Sequence, residues 1–184
     1  MRVLLDCDGV LGHFTAGALA WVKARHGRAL TDESITDFNI MRSWGLDSEW
    51  PAFTQWMSDT RFCREMPVYD GAREFVDKLR GRAEVLIVTS PFVGVEHWEA
   101  DRRDWLARHF RFDKSEVISC ERKDIVAGDW LVDDRTENCR RFELSTVLSG
   151  ADSPRAICFD RPWNQDFLGI RAHSYDEVLS LISA

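Results

Sequence analysis

Apolar and polar residues follow two periods along this chain. Residues 3–6, 84–88, 116–119, 130–132 and 155–159 are short apolar or β-branched runs bounded by polar and turn residues, the pattern of buried strands. Between them the period becomes helical. In residues 71–79, Ala72, Phe75, Val76 and Leu79 share one face, and Gly81 is a natural stop. In residues 96–110, Trp98, Trp105, Leu106 and Phe110 are the apolar positions of an otherwise charged helix. Residues 136–144 read as a helix capped by Thr136, and residues 175–182 as a closing helix capped by Ser174. Strands alternating with helices predict an α/β fold: a Rossmann-like parallel sheet with helices on both faces.

Residues 13–69 break the alternation. They hold no convincing strand but nine of the 21 aromatic residues, among them Phe14, Trp50 and Phe53. This predicts a small helical cap inserted after the first strand, with 1–12 and 70–184 forming the α/β core. Most of its aromatics belong to its own packing; a few are free to stack on a flat ligand group.

Composition narrows the function. The chain has 184 residues, 45% of them hydrophobic and 30% charged, with a formal charge of −7. One main core is expected. The acidic balance and the lack of a long basic run argue against a nucleic acid polymer as partner. No stretch is apolar enough to span a bilayer, and a strand at residue 3 leaves no room for a signal peptide. The five cysteines are odd in number and lack Cys-x-x-Cys spacing. They read as reduced thiols of a cytoplasmic protein rather than a disulfide frame or zinc site.

The chemistry gathers at strand ends. Asp6 and Asp8 stand one residue apart where the first strand stops, and Gly9 lets the chain turn away. Thr89 and Ser90 end the second strand, and Asp133 and Asp134 end a later one, with Lys123 in the turn before it. Each has a plainer reading: a polar turn, a Thr-Ser-Pro turn, an acidic turn, a surface lysine. The spacing after Asp8 does not fit a calcium-binding EF-hand loop, because Val10, Gly12 and Phe14 fill the ligand positions. The scattered histidines show no zinc pattern, and no P-loop exists. In an open parallel sheet, ligands bind beyond the carboxyl ends of the strands, where all these groups recur.

In that order the four segments resemble the motifs of the haloacid-dehalogenase-like phosphohydrolases: Asp6-x-Asp8-Gly9-Val10, Thr89-Ser90, Lys123 and Asp133-Asp134. Within that superfamily the wording is most similar to the 5'(3')-deoxyribonucleotidases. The similarity lies in Asp8-Gly9-Val10-Leu11 with Phe14, Thr89-Ser90-Pro91, Leu131-Val132-Asp133-Asp134-Arg135 and the helical segment after the first motif. Phe159-Asp160-Arg161-Pro162-Trp163-Asn164 is similar to a stretch of bacterial members. His13 departs from mammalian relatives, which carry an acidic residue there, and this leaves base preference open. The resemblance implies Mg²⁺-dependent hydrolysis of nucleoside monophosphates to nucleoside and phosphate. Asp6 would be the nucleophile, forming an aspartyl-phosphate, and Asp8 the general acid and then base. Mg²⁺ would be held by Asp6, the backbone carbonyl of Asp8 and Asp134, with Asp133 behind them. Thr89, Ser90 and Lys123 would bind the phosphoryl group. Phe14, Pro91, Trp163 and Asn164 are the candidate substrate-pocket residues. Two competing expectations remain: a phosphatase of the same superfamily acting on another small metabolite, and a non-catalytic module binding a phosphate ligand.

Overall fold

The structure is a computed structural model describing residues 1–148 and 155–183; residues 149–154 and 184 of the expected core lie outside the described residues. Among the described residues, six strands form one parallel sheet: β1 (Arg2–Leu5), β2 (Glu84–Thr89), β3 (Val117–Ser119), β4 (Trp130–Asp133), β5 (Ala156–Phe159) and β6 (Arg171–Ala172). Their order is β3-β2-β1-β4-β5-β6, so β1 lies between β2 and β4. The helices are α1 (Phe14–His26), α2 (Ile40–Ser43), α3 (Trp50–Thr60), α4 (Phe62–Glu65), α5 (Ala72–Arg80), α6 (Trp98–Phe110), α7 (Thr136–Leu148) and α8 (Tyr175–Ser183).

Alternation along the strands divides the core in two. Val3 and Leu5 of β1 join a large cluster with Phe75 and Leu79 of α5, Trp105 of α6 and Val178 of α8. Leu4, between them in sequence, joins a smaller one with Leu131, Phe142 of α7 and Cys158. The sheet is therefore covered on both faces, and the middles of β1, β2, β4 and β5 are apolar because neither side meets water there. Each fully buried Leu or Phe contributes about 1.5–3 kcal/mol.

The register fixes what stands at the carboxyl edge. Leu5 pairs with Ile87 on one side and Val132 on the other. Asp6 then donates its N–H to the Val132 carbonyl (2.9 Å), which brings Asp133 level with it.

Helices α1 to α4 pack over this edge around an aromatic cluster. Phe14 meets Phe53 and Phe62 edge-on, and Trp56 stacks on Phe53. The chain leaves and rejoins the sheet at one place. Gly12 pairs with Val68 in an isolated antiparallel bridge; His13 N–H donates to the Pro67 carbonyl (2.8 Å), and Tyr69 N–H to that of Leu11 (3.0 Å).

Several boundaries differ from the sequence pattern. Helix α6 starts at Trp98 rather than residue 96, because Gly94 and His97 adopt left-handed backbone. Helix α7 runs four residues past Leu144. Thr136 is its first helical residue and donates its hydroxyl to Asp166 Oδ1 (3.1 Å) instead of capping. Ser174 caps α8 as expected, accepting the Glu177 N–H (3.2 Å). Strand β6 is two residues long and exists through its pairing with β5, so no local pattern announces it.

Candidate active site

Beyond the tips of β1 and β4, carboxylate oxygens of Asp6, Asp133 and Asp134 lie within 4.8 Å of one another, all buried. Like charges this close destabilise one another unless a cation intervenes. Lys123, 2% exposed, lies between two of them: Nζ is 2.6 Å from Asp6 Oδ1 and 2.7 Å from Asp133 Oδ2. Burial opposes its charge, but Asp133 and Asp6 overcome that and hold its pKa above the ordinary lysine value.

The three acids have different surroundings. Asp133 is saturated: besides Lys123 it accepts from Asn138 Nδ2 (3.0 and 3.2 Å) and from the Arg135 N–H (2.8 Å). The Asp134 carboxylate, among the hydrogen bonds of the described residues, accepts only from Trp163 Nε1 (3.1 Å). Burial pushes Asp6 up to about 7 against the pull of Lys123, with Asp133 and Asp8 adding to the rise. Burial, then Asp6 and Asp133, also raise Asp134. The cluster thus holds more negative charge than one ammonium cancels. A compact set of hard oxygen donors with this excess fits Mg²⁺. Asp6 and Asp134 have oxygen lone pairs to give it, whereas Asp133 has spent its own. The Asp8 carboxylate stands outside the cluster, paired with Arg102.

Gly9 makes the close packing feasible. Its φ is +73°, and a Cβ there would lie 1.9 Å from Asp134 Oδ2. Arg161 Nε fixes the same turn by donating to the Gly9 carbonyl (2.7 Å).

A cavity of about 250 Å³ opens above the cluster. Asp6, Asp8, Ser90, Lys123 and Asp134 form its polar wall, and Phe14, Pro91 and Trp163 line it. Two of the expected residues do not. Asn164 is fully buried, and its Nδ2 donates to the carbonyls of Asp134 and Phe159, both at 2.8 Å. It clasps the chain beneath the site and has no face left for a substrate. Thr89 sits behind Ser90, buried, off the cavity wall, its hydroxyl without a protein partner. His13 turns away to Asp32 (2.8 Å) and stacks on Tyr69.

The cavity also recruits residues outside the expected set of site residues: Phe38 and Trp50 from the aromatic segment, Arg135 next to the last acidic pair, and Phe92, Glu121 and Asn138. Phe92 follows the recognised Thr-Ser-Pro stretch, and its ring stacks with Phe14 (5.9 Å) and Trp50 (6.0 Å). Asn138 is the third residue of α7, and from that first turn its amide reaches back to the Asp133 carboxylate at the strand tip. Arg102 had a signal too. It is four residues after Trp98 and three before Trp105, on the buried stripe of α6.

Comparison with known proteins agrees with this architecture. The family model described as 5' nucleotidase, deoxy (pyrimidine), cytosolic type C protein matches residues 1–184. A Bordetella pertussis protein with the provisional name 5'(3')-deoxyribonucleotidase is 31% identical over 176 residues, covering 90% of this chain and 87% of its own. The 5'(3')-deoxyribonucleotidase of Bacillus subtilis is 23% identical over 178 residues, covering 96% and 95%. Among solved structures, a magnesium-bound HAD-type hydrolase of Bacillus subtilis superposes with a TM-score of 0.58 at 16% identity, covering 100% of this chain and 98% of that one. A HAD family hydrolase of Deinococcus radiodurans, with bound phosphate and sodium, gives 0.58 at 17% identity, covering 99% and 94%. Matched along its whole length by that family model, the chain belongs to the deoxy (pyrimidine) 5' nucleotidase, cytosolic type C family, and is a phosphate monoester hydrolase of the 5'-nucleotidase type.

Proposed function

We propose that this chain hydrolyses deoxyribonucleoside monophosphates, and with them ribonucleoside monophosphates, to nucleoside and inorganic phosphate through an aspartyl-phosphate on Asp6, in the presence of Mg²⁺. One observation carries this reading: a single cavity joins the Asp6–Asp134–Lys123 group to a wall of aromatic rings. The acidic side suits a phosphoryl group together with a cation, and the ring wall suits a flat base.

Each residue has a task in this reading. Asp6 attacks phosphorus, forming one Oδ–P bond as the ester P–O bond breaks. Asp8, on the cavity wall, gives its proton to the leaving 5'-oxygen and then takes one from the water that cleaves the intermediate. Lys123, fixed and charged, stabilises negative charge spreading over the phosphoryl oxygens. Ser90 donates from the wall, and the unpartnered Thr89 hydroxyl buried behind it would join as a second donor by turning toward the cavity. Asp6, the Asp8 carbonyl and Asp134 would hold Mg²⁺, with Asp133 steadying Lys123 behind them; the ion supplies charge neutralisation for attack by an anion on an anion. Phe14, Phe92 and Trp163, which line the cavity, would contact the nucleoside. Five unpaired thiols fit a reducing cytoplasm, where nucleotides are also found.

Phosphate release from a panel of monophosphates, with and without MgCl₂, tests the reading. Turnover of deoxyuridylate and thymidylate is expected, dependent on the ion and abolished by Asp6→Asn. Strong turnover of a sugar phosphate or phosphoamino acid, with none of either nucleotide, would reassign the substrate to another small metabolite. A rate unchanged in Asp6→Asn would remove the nucleophile.

A further inference from the structure

Arg102 of α6 is 2% exposed. Burying a guanidinium costs several kcal/mol unless it is well partnered, so an arginine kept in this position calls for a reason. Its carboxylate partner is Asp8: Nη2 is 2.7 Å from both Oδ1 and Oδ2. Nη1 contacts the sulfur of Cys7, and the guanidinium lies over Trp98, 4.9 Å from the ring centroid, with Trp105 at 5.8 Å. Burial works against its charge, yet the Asp8 carboxylate outweighs that and keeps it protonated. The cation is therefore immobile, walled in by indoles and thiols. Asp8 differs: its side chain is 32% exposed and borders the cavity. One carboxylate thus touches a fixed internal charge and the substrate space together.

We propose that Arg102 is the positioning residue for Asp8, holding its carboxylate at the cavity wall in the orientation that proton transfer requires. A short side chain with two free torsions would otherwise sample orientations that miss the ester oxygen, and misplacement by about 1 Å can cost about 10²-fold in rate. The inference rests on the acid–base role given to Asp8 above and deepens it. In the first step the Asp6–phosphorus bond forms, the ester bond breaks, and a proton that Asp8 takes up through its solvent-facing side goes on to the departing alkoxide. In the second, water oxygen bonds to phosphorus, its proton goes to Asp8, and the Asp6–phosphorus bond breaks. Arg102 exchanges no proton in either step; it sets the distance over which Asp8 acts.

Leaving-group dependence separates this role from a merely structural one. An alkoxide needs the proton, whereas 4-nitrophenolate leaves without it. The test compares Arg102→Met, Arg102→Lys and Asp8→Asn with the wild type on thymidine 5'-phosphate, β-glycerophosphate and 4-nitrophenyl phosphate. Methionine matches the length of the arginine stem and suits the indole surroundings. For Arg102→Met we expect kcat on both alkyl esters to fall by about 10²-fold with KM changed far less. The first equivalent of 4-nitrophenolate should be released with a much smaller loss, as a burst approaching one per site, because intermediate breakdown then becomes slow. Lysine should restore part of the alkyl-ester rate. The Arg102→Met/Asp8→Asn double variant should be no slower than Asp8→Asn alone. An equal fall on alkyl and aryl esters without a burst, in a folded variant, would overturn the proposal. If Arg102→Met does not fold, Arg102→Lys decides alone: an alkyl-to-aryl rate ratio equal to the wild type's would overturn it. A wild type that cleaves β-glycerophosphate but no nucleotide would refute the substrate reading and leave this test intact. A wild type that cleaves no phosphate ester would refute both.

Discussion

At Gly9 the chain turns at φ +73° directly under Asp134, where a methyl group would come within 1.9 Å of Oδ2. In Gly9→Ala the left-handed backbone alone costs about 1–2 kcal/mol, and the added carbon must push Asp134 away from Asp6. The expected outcome is a lower thermal midpoint together with a drop of about 10²-fold in phosphate release, measured by thermal denaturation and a phosphate assay. Thr89 gives the opposite combination. Its hydroxyl is buried and has no protein partner, so Thr89→Val removes an unsatisfied polar atom and inserts an equally β-branched residue in a strand. Its thermal midpoint should be equal to or above the wild type's while kcat/KM falls. A variant both less stable and fully active would show that the hydroxyl serves the fold instead of the ligand.

Among the elements, the turn after β5 governs the site from below. Asn164 there donates to the Asp134 and Phe159 carbonyls and accepts from the Arg161 N–H (3.0 Å), tying the ends of β4 and β5 together. Asn164→Ala leaves these buried groups unpaired, at about 1–3 kcal/mol. A lower urea midpoint is expected, with activity reduced because Asp134 loses its backbone anchor. The same turn marks how far the sequence could be read. Strands β1, β2 and β4 were legible because runs buried on both faces are apolar without interruption, and their polar tips stood out against them. Asn164 was misread as a pocket residue because proximity in sequence to Trp163, which does line the cavity, says nothing about which way an amide faces. Arg102 was overlooked among the charged residues of α6, although its helical spacing placed it with the tryptophans. Strand β6 and the ring contacts of Phe92 depend on segments far apart in sequence, which no local period encodes.

Over the whole molecule, the acidic cluster makes stability depend on pH and, on the proposed reading, on divalent ions with it. Asp6 is raised to about 7 in the fold, against about 3.9 in an unfolded chain. Between those values the folded state retains a proton that the unfolded state has released. The contribution of Asp6 to stability is thus greatest at low pH and declines as pH rises from about 4 to about 7; Asp134 shifts in the same direction. A cation that binds the ionised carboxylates competes with protons, so its stabilisation grows over the same window. Adding MgCl₂ should therefore raise the thermal midpoint more at pH 8 than at pH 5, and Asp6→Asn should shrink the difference. Equal shifts at both values would contradict the assignment of these acids to an ion.

The bridge between Gly12 and Val68 has a consequence of another kind. Because the aromatic roof departs and returns at adjacent rungs, the sheet sees more than fifty residues as little more than a hairpin. A replacement of different length or composition would not oblige β1 or α5 to move. On the proposed reading, the share of the alcohol's surroundings that lies in this roof can thus be exchanged over an unaltered acidic floor, while Phe92 and Trp163 stay with the sheet that carries them.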